Sequence, residues 1–304
     1  MVVTHGSFPS ARGRSTLTIG NFDGVHRGHR TLIERVVAKA IESATASCVL
    51  TFEPHPREFF ASDAAPARLT RLRDKLELIA AIGVERVHVV RFDARFAALS
   101  AARFIDEVLV RGLGVFRLIV GRDFRFGAGR AGDFAALEHA ARRDGFALEA
   151  MPDVSFEGER VSSSAVRTAL QAGDFAQAER LLGRPYTISG KVVHGACLGR
   201  GLGFPTANIA LGQRPPLGGI YVVEVEGLGP GVASVGLRPT VNPVATPLLE
   251  VHLFDCDREL YGRRLRVRFL RKLRDEAKFD SLPALREAIA RDAAEAREYF
   301  ARHG

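Results

Sequence analysis

Up to about residue 185, short apolar runs alternate with longer segments whose apolar residues recur every three or four positions. The runs Thr16–Ile19, Ser47–Phe52, Val87–Arg91, Arg117–Val120 and Ala147–Met151 read as strands. The segments Arg30–Ala44, Arg71–Ala81, Ala101–Arg111, Asp133–Arg143, Ser163–Ala172 and Asp174–Leu182 read as helices. Strand–helix alternation predicts an α/β domain with a parallel sheet covered on both faces. Such sheets bind ligands beyond the carboxyl ends of their strands. The pattern changes after Arg184-Pro185. From Tyr186 to Phe269 the chain is rich in glycine and proline, with short alternating strands at Thr187–Val193, Ile220–Glu226, Val232–Val235, Leu249–Leu253 and Leu265–Phe269. This predicts a small antiparallel sheet or barrel. A helix from Leu282 to about Ala301 closes the chain, and its spacing of Leu282, Leu285, Ala288 and Ile289 reads as a packing stripe.

The 304 residues give room for two domains, each with its own core. A division at residues 184/185 follows, into 15–184 and 185–304. Mean hydropathy lies near zero, and no run approaches the roughly eighteen apolar residues of a membrane span. Met1 to Arg14 lacks an apolar stretch of the secretory type and reads as a loose tail. Three widely spaced cysteines, Cys48, Cys197 and Cys256, argue for reduced, buried thiols in a cytoplasmic protein. The net charge of +8 attracts nucleic acid and small polyphosphates alike. Without a basic tail, a basic stripe interleaved with aromatics, or any tryptophan, the polyphosphate reading is preferred.

Gly20 to His29, GNFDGVHRGH, follow the first apolar run. A glycine-punctuated strand-to-helix turn aims backbone N–H groups and the positive end of the helix dipole at one spot. His26 and His29 share one face of the first turn. As metal ligands they supply only two of the donors a site needs, and no cysteine pair stands nearby. Beside an anion hole they suit a triphosphate whose charge rises during transfer. The segment resembles the HxGH signature of the nucleotidylyltransferase superfamily.

Three further segments occupy later strand–helix junctions. Thr51-Phe52-Glu53-Pro54-His55-Pro56 is a turn stiffened by proline, where His55 is either a surface residue or a substrate contact. In the glycine-rich stretch Val120–Gly132, Phe124 and Phe126 either stack on a ring or anchor the loop. Val161-Ser162-Ser163-Ser164-Ala165-Val166-Arg167 has more hydroxyls than helix capping requires, and Ser163, Ser164 and Arg167 suit phosphate oxygens. In this order the four segments resemble the adenylyltransferase domain of prokaryotic FAD synthetase, with its GxFDGxHxGH, TFxPHP, VGxDFxFGxxRxG and ISSTxIR motifs, over most of residues 15 to 170. Ser164 replaces the usual threonine and Arg30 a common glutamine. The resemblance implies a Rossmann-like nucleotidylyltransferase fold. It implies ATP and phosphate contacts from Gly20, Phe22, Asp23, Gly24, His26, His29, Ser162, Ser163, Ser164 and Arg167. It implies flavin contacts from Pro54, His55, Pro56, Asp123, Phe124 and Phe126.

In the second part, Gly190–Gly195 leads to GRGLGFPTAN at Gly199–Asn208. The glycines let a backbone approach phosphates, and no Walker-type GxxxxGK[ST] exists. Thr206 and Asn208 offer hard neutral oxygens suited to Mg²⁺ carried on a nucleotide. Glu250, within an apolar strand, lies on a solvent face or serves as a general base. The region from about 186 to 295 resembles the riboflavin kinase domain through GFPTAN, GxYxVxV, LExHLFD, LYG and FLRKxRxExKF. Cys256 and Val241 replace usual aromatics. The resemblance implies a β-barrel in which Gly195, Gly199, Gly201, Gly203, Pro205, Thr206 and Asn208 hold ATP and Mg²⁺. Glu250 is then the base, and Arg271, Arg274, Glu276 and Phe279 lie on the flavin side.

Together the resemblances imply a bifunctional enzyme of flavin cofactor synthesis. Its partners are riboflavin, FMN and ATP, without nucleic acid or membrane; a homo-oligomer is left open. Two other readings carry a weaker warrant: an adenylyltransferase with a non-flavin acceptor, and a basic nucleic-acid-binding protein.

Overall fold

Alternation of side chains between two apolar layers builds a six-stranded sheet from β1 (Val2–His5), β2 (Ser15–Ile19), β3 (Ala46–Glu53), β4 (Arg86–Arg91), β5 (Val115–Gly121) and β6 (Ala147–Met151). The computed structural model describes residues 1–6, 13–61, 64–195, 201–238 and 246–303. It divides into two units, Met1–Pro66 with Leu72–Ser162, and Ala67–Arg71 with Ser163–Gly304.

In the first unit the strands pair in the order β1-β4-β3-β2-β5-β6, all in parallel. Leu17, Ile19, Cys48, Leu50 and Val90 face a layer containing Val108, Leu109 and Leu137. The alternate residues Val49, Val87 and Val89 face Ile33 and Ile79. The covering helices are α1 (Arg27–Glu42), α2 (Pro56–Phe60), α3 (Leu72–Ala80), α4 (Ala94–Ala97), α5 (Ala101–Arg103, continued by a π-helical stretch to Val110) and α6 (Phe134–Asp144). This is the expected parallel α/β architecture. The chain runs from β2 through β3 to β4 on one side and through β5 to β6 on the other. The switch of direction therefore falls between β2 and β5, where doubly wound sheets open a crevice. Burial pushes the Cys48 thiol up to about 12, in keeping with a small hydrophobe.

Residues 2–5 correct the expectation of a loose tail. They form an edge strand against β4, fixed by Thr4 Oγ1 on His88 Nδ1 at 2.7 Å. Of its four residues only Val3 reaches the core, so the pattern is too short and too polar to read as a strand. A two-residue hairpin, β7 (Ser155–Phe156) and β8 (Glu159–Arg160), also lay outside the sequence reading.

The second unit opens with α7 (Ser163–Ala172) and α8 (Phe175–Leu182). Then follow β9 (Thr187–Val193), β10 (Ala207–Ala210), β11 (Gly219–Val225), β12 (Gly229–Arg238), β13 (Thr246–Leu253) and β14 (Arg264–Arg274). They close into an antiparallel barrel in the order β10-β13-β12-β11-β14-β9. Tyr221, Val223, Ile209, Leu249, Val251, Val267 and Phe269 are buried, and they leave a packed interior. Tyr221 donates its hydroxyl to Gly218 O at 2.7 Å, and burial pushes that hydroxyl up to about 12. Phe175 of α8 stacks on Phe269 at 6.2 Å and meets Tyr221 edge-on at 5.8 Å. The short strand β10 was not expected, because Thr206-Ala207-Asn208 reads as a ligand loop.

The last helix, α9 (Leu282–His303), buries Ala288, Ala293 and Ala296; Ala293 and Ala296 pack with Val222 and Val232 on the barrel's outer surface. Leu282 does not join the packing stripe: it is 64 % exposed.

Phe175→Ala is expected to destabilise the second unit by about 3–5 kcal/mol, as for other buried aromatics cut to alanine. Calorimetry should show an earlier transition in the variant, and an unshifted transition would mean that Phe175 does not carry the barrel's end.

Candidate active sites

The turn between β2 and α1 is tightly wound. Phe22, Gly24 and Val25 all take left-handed backbone angles, with φ of 48°, 87° and 40°. Two of these residues are not glycine, a costly conformation that clusters at functional sites. The turn is tied back by Gly20 N–H to Leu50 O at 3.1 Å and by Val25 N–H to Phe22 O at 3.3 Å. Phe22, Asp23 and Val25 are buried beneath it. His26 caps α1: its Nδ1 accepts from the His29 backbone N–H at 3.2 Å. That leaves the His26 ring proton of the neutral form on Nε2. The two imidazoles stack with centroids 3.6 Å apart, and Phe22 meets His29 edge-on at 5.1 Å. His29 Nδ1 is enclosed and finds no hydrogen-bond partner. Burial, followed by the nearby His26 and Lys75, holds the His29 imidazole well below the usual histidine range. The α1 N-terminus carries no acidic residue in its first turn. Backbone N–H groups of a helix N-terminus beside two imidazoles suit an anion.

The other predicted segments of this unit also leave carboxyl ends of strands. His55 is buried and caps α2: its Nδ1 accepts from Arg57 N–H at 3.1 Å, while Glu58 accepts from His55 N–H at 3.1 Å. Between Pro54 and Pro56, His55 therefore shapes the turn that launches α2. That helix carries Phe59 and Phe60, 40 % and 67 % exposed, edge-on to Phe92 at 5.6 and 5.7 Å. This aromatic surface went unread in the sequence, although adjacent phenylalanines in a five-residue helix are a signal.

After β5, Phe126 is buried in the core with Phe124 stacked on it at 5.6 Å, so both anchor the loop. Asp123 is exposed and lies 3.8 Å from Arg160 at the end of the β7–β8 hairpin. The same hairpin offers Phe156 to the Arg27 guanidinium at 4.2 Å. Ser162 ends the first unit. In the second, α7 begins at Ser163, Ser164 is exposed, and Arg167 Nε donates to Ala67 O at 2.6 Å.

The second unit holds a cavity of about 370 Å³ on the barrel's outer surface, walled in part by α9. Along β13, Leu248, Glu250 and His252 line it, while Leu249 and Val251 fill the interior. Antiparallel register sets Asn208 of β10 and Ser234 of β12 directly across from Glu250. Such neighbours have Cβ atoms about 5 Å apart. Glu250 thus stands on the barrel's outer face, yet inside a pocket. Thr206 shares that lining, and Asn208 Oδ1 is buried with no hydrogen-bond partner among the described residues. Gly195 approaches the Asn208 amide so closely that no side chain would fit there. His252, unread in the sequence, donates from Nδ1 to Pro205 O at 2.9 Å and meets Phe204 edge-on at 5.4 Å, pinning the segment that carries Thr206. Arg274, Glu276 and Phe279 line the cavity, whereas Arg271 is not in its lining and pairs with Glu295 at 3.2 Å. Gly195, Gly201, Gly203 and Pro205 flank the lining residues without being among them. Gly199, Cys197 and Val241 lie outside the described residues. Among the described residues no three of His, Cys, Asp and Glu converge as a metal cluster.

A helix N-terminus with stacked imidazoles at a sheet's switch point, and a carboxylate beside amide and hydroxyl side chains in a barrel pocket, suit a two-unit nucleotide-dependent transferase. Residues 9–165 match the FAD synthetase family model and residues 182–300 the riboflavin kinase model. The chain belongs to the bifunctional riboflavin kinase/FMN adenylyltransferase family. It is 52 % identical to the Escherichia coli K12 protein of that name over 93 % of this chain and 92 % of the relative. It is 51 % identical to the Pseudomonas fluorescens protein over 96 % and 95 %, and 37 % identical to the Bacillus subtilis protein over 97 % and 96 %. A crystal structure from Streptococcus pneumoniae, named a macrolide-efflux protein, is similar with a TM-score of 0.77 and 27 % identity, covering 96 % of this chain and 97 % of that one. Among the described residues no helix is long and apolar enough to cross a membrane.

Burial also lowers the His88 imidazole. For both His29 and His88 the unfolded chain takes up a proton near 6.5 while the folded chain still resists it. Stability is therefore unaffected by them above that pH and falls as pH drops below it. Denaturant midpoints at pH 7.5 and 5.5 should show this acid loss, and His88→Gln and His29→Gln should each reduce it. An unchanged loss in both variants would contradict the assignment.

Proposed function

We propose that the chain makes FMN from riboflavin and ATP at the barrel cavity, and FAD from FMN and a second ATP at the carboxyl edge of the parallel sheet. FAD formation is assigned to residues 15–184 and FMN formation to 185–304. The observation that carries the reading is the cross-strand triplet of Asn208, Glu250 and Ser234 inside a pocket of about 370 Å³.

In the first reaction the riboflavin 5′-hydroxyl gives its proton to Glu250 as its oxygen attacks the γ-phosphorus of ATP. The bond to the β-phosphate oxygen breaks and ADP leaves. Positioning and neutralisation of charge do most of the work in phosphoryl transfer. Mg²⁺ fits this site: the buried Asn208 Oδ1, unpartnered among the described residues, and the Thr206 hydroxyl are hard neutral oxygens of the kind it takes. Bound with ATP, the ion neutralises phosphate charge. The chain's own residues hold the hydroxyl against Glu250 and shield the pocket with α9.

In the second reaction an FMN phosphate oxygen attacks the α-phosphorus of ATP, and pyrophosphate leaves as the α–β bridging bond breaks. FMN phosphate is already a nucleophile near neutral pH, so no strong base is required. Charge grows on pyrophosphate, and the α1 N-terminus with the His26–His29 pair offers donors to it. Ser162 is a further phosphate contact of this unit in this reading. Phe59, Phe60 and Phe92, rather than the core residue Phe126, supply an apolar face for the flavin ring. The ATP supply and the unbridged thiols of Cys48 and Cys256 fit a cytoplasmic setting.

His29→Ala should lower FAD formation by about 10²–10⁴-fold, the range for a lost acid–base or charge-stabilising group, and spare FMN formation. Glu250→Gln should do the reverse. Chromatography of products from riboflavin, ATP and Mg²⁺ reads both, and equal loss of the two activities without unfolding would refute the division of labour.

EDTA should stop FMN formation, and excess Mg²⁺ should restore it. Kinase turnover that persists in EDTA would remove Thr206 and Asn208 as metal ligands.

A further inference from the structure

The cavity wall formed by Arg274, Glu276 and Phe279 comes from the end of β14 and the segment 275–279. That segment has no regular structure, and Asp275, Glu276, Ala277 and Lys278 are exposed. Lys272 pairs with Asp275 at 2.5 Å, and Arg274 ties the segment's start to α9. The guanidinium donates from Nε to Asp292 Oδ1 at 2.9 Å and from Nη2 to Asp292 Oδ2 at 2.7 Å. It also donates from Nη1 to Asp275 O at 3.0 Å. The Phe279 ring lies 5.6 Å from the guanidinium carbon. Each of its three nitrogens is thus engaged inside the protein. Arg274, expected from the sequence to touch the flavin, is a strut.

Asp292 is the less obvious partner. It sits on α9 in the series Leu285, Ile289, Asp292, all of which line the cavity, and only 7 % of it is exposed. A carboxylate buried on an apolar helix face costs desolvation, and apolar replacements of such pairs are often at least as stable. Stability alone therefore gives little reason for an acid at this position. A fork-to-fork arginine–carboxylate pair does fix orientation. The Glu276 carboxylate stands where a Gly236 side chain would, so glycine at this position leaves the carboxylate its place. The segment 275–279 is consequently fixed at its start, by Asp292 through Arg274.

We propose that Asp292 is a positioning residue for riboflavin phosphorylation, setting through Arg274 the wall against which the flavin ring is held. The inference rests on the cavity being the kinase site. Asp292 touches no reacting atom, so its loss weakens flavin capture and leaves the phosphoryl step and the ATP contacts largely intact.

The test uses the full chain. FMN formation is measured against riboflavin and against ATP separately, riboflavin binding is read by quenching of its fluorescence, and FAD formation from supplied FMN serves as an internal control. Asp292→Asn should raise the KM and Kd for riboflavin about tenfold, the scale of a lost charged hydrogen bond, with the KM for ATP, kcat and FAD formation little changed. Arg274→Lys should act in the same direction, because an ammonium cannot reproduce the fork. The double variant should be no worse than the single ones, since both remove one interaction. Should Asp292→Asn not fold, Arg274→Lys carries the test alone. An unchanged riboflavin KM, or equal rises for riboflavin and ATP, would overturn the inference. If the unmodified chain makes no FMN, the underlying reading of the cavity fails instead.

Discussion

A strand has two faces and two ends, and the two units use these differently. In the parallel sheet both faces are covered, so Leu17, Leu50 and Val49 all serve the core. Chemistry is left only the strand ends, and the turns after β2, β3 and β5 carry it. In the barrel the inner face alone must fill the core. Every second residue of β13 then looks outward, and Glu250 stands among neighbours fixed by register. One residue of slippage would send Glu250 into the barrel and Leu249 out of it. The placement of the carboxylate thus depends on the same hydrogen-bond ladder that closes the barrel.

Electrostatically the sites are also unlike. In the first, burial of His29, followed by the nearby His26 and Lys75, disfavours a proton on its imidazole. The second keeps a carboxylate beside neutral oxygens, and the adjoining guanidinium of Arg274 is already matched by Asp292.

The sequence was most legible where side chains declare a turn. GNFDGVHRGH, the Pro54-His55-Pro56 turn and the Ser163 helix start all fall at the junctions that period and punctuation indicate. It was least legible where pairing partners decide. Ala207-Asn208 begins a strand, because β13 offers Asn208 a ladder position that local pattern does not reveal. Val2–His5 is a strand only through β4. The α9 pattern suggests Leu282, which faces solvent, and hides Asp292, since an acid three residues past Ile289 looks like a surface residue until Arg274 is seen opposite. Phe126 and Phe60 show the same limit: two phenylalanines of equal hydrophobicity go to core and surface on the strength of a backbone bend.

Phe175 has a consequence for how this polypeptide can be dissected. Its ring corks one mouth of the barrel, yet it stands ahead of the Arg184-Pro185 junction where composition changes. A cut at that junction would uncork the barrel and wet Phe269 and Tyr221, whereas a cut before Ser163 would carry the stopper along. Severing the chain by its composition and severing it by its packing would therefore yield two different kinase fragments.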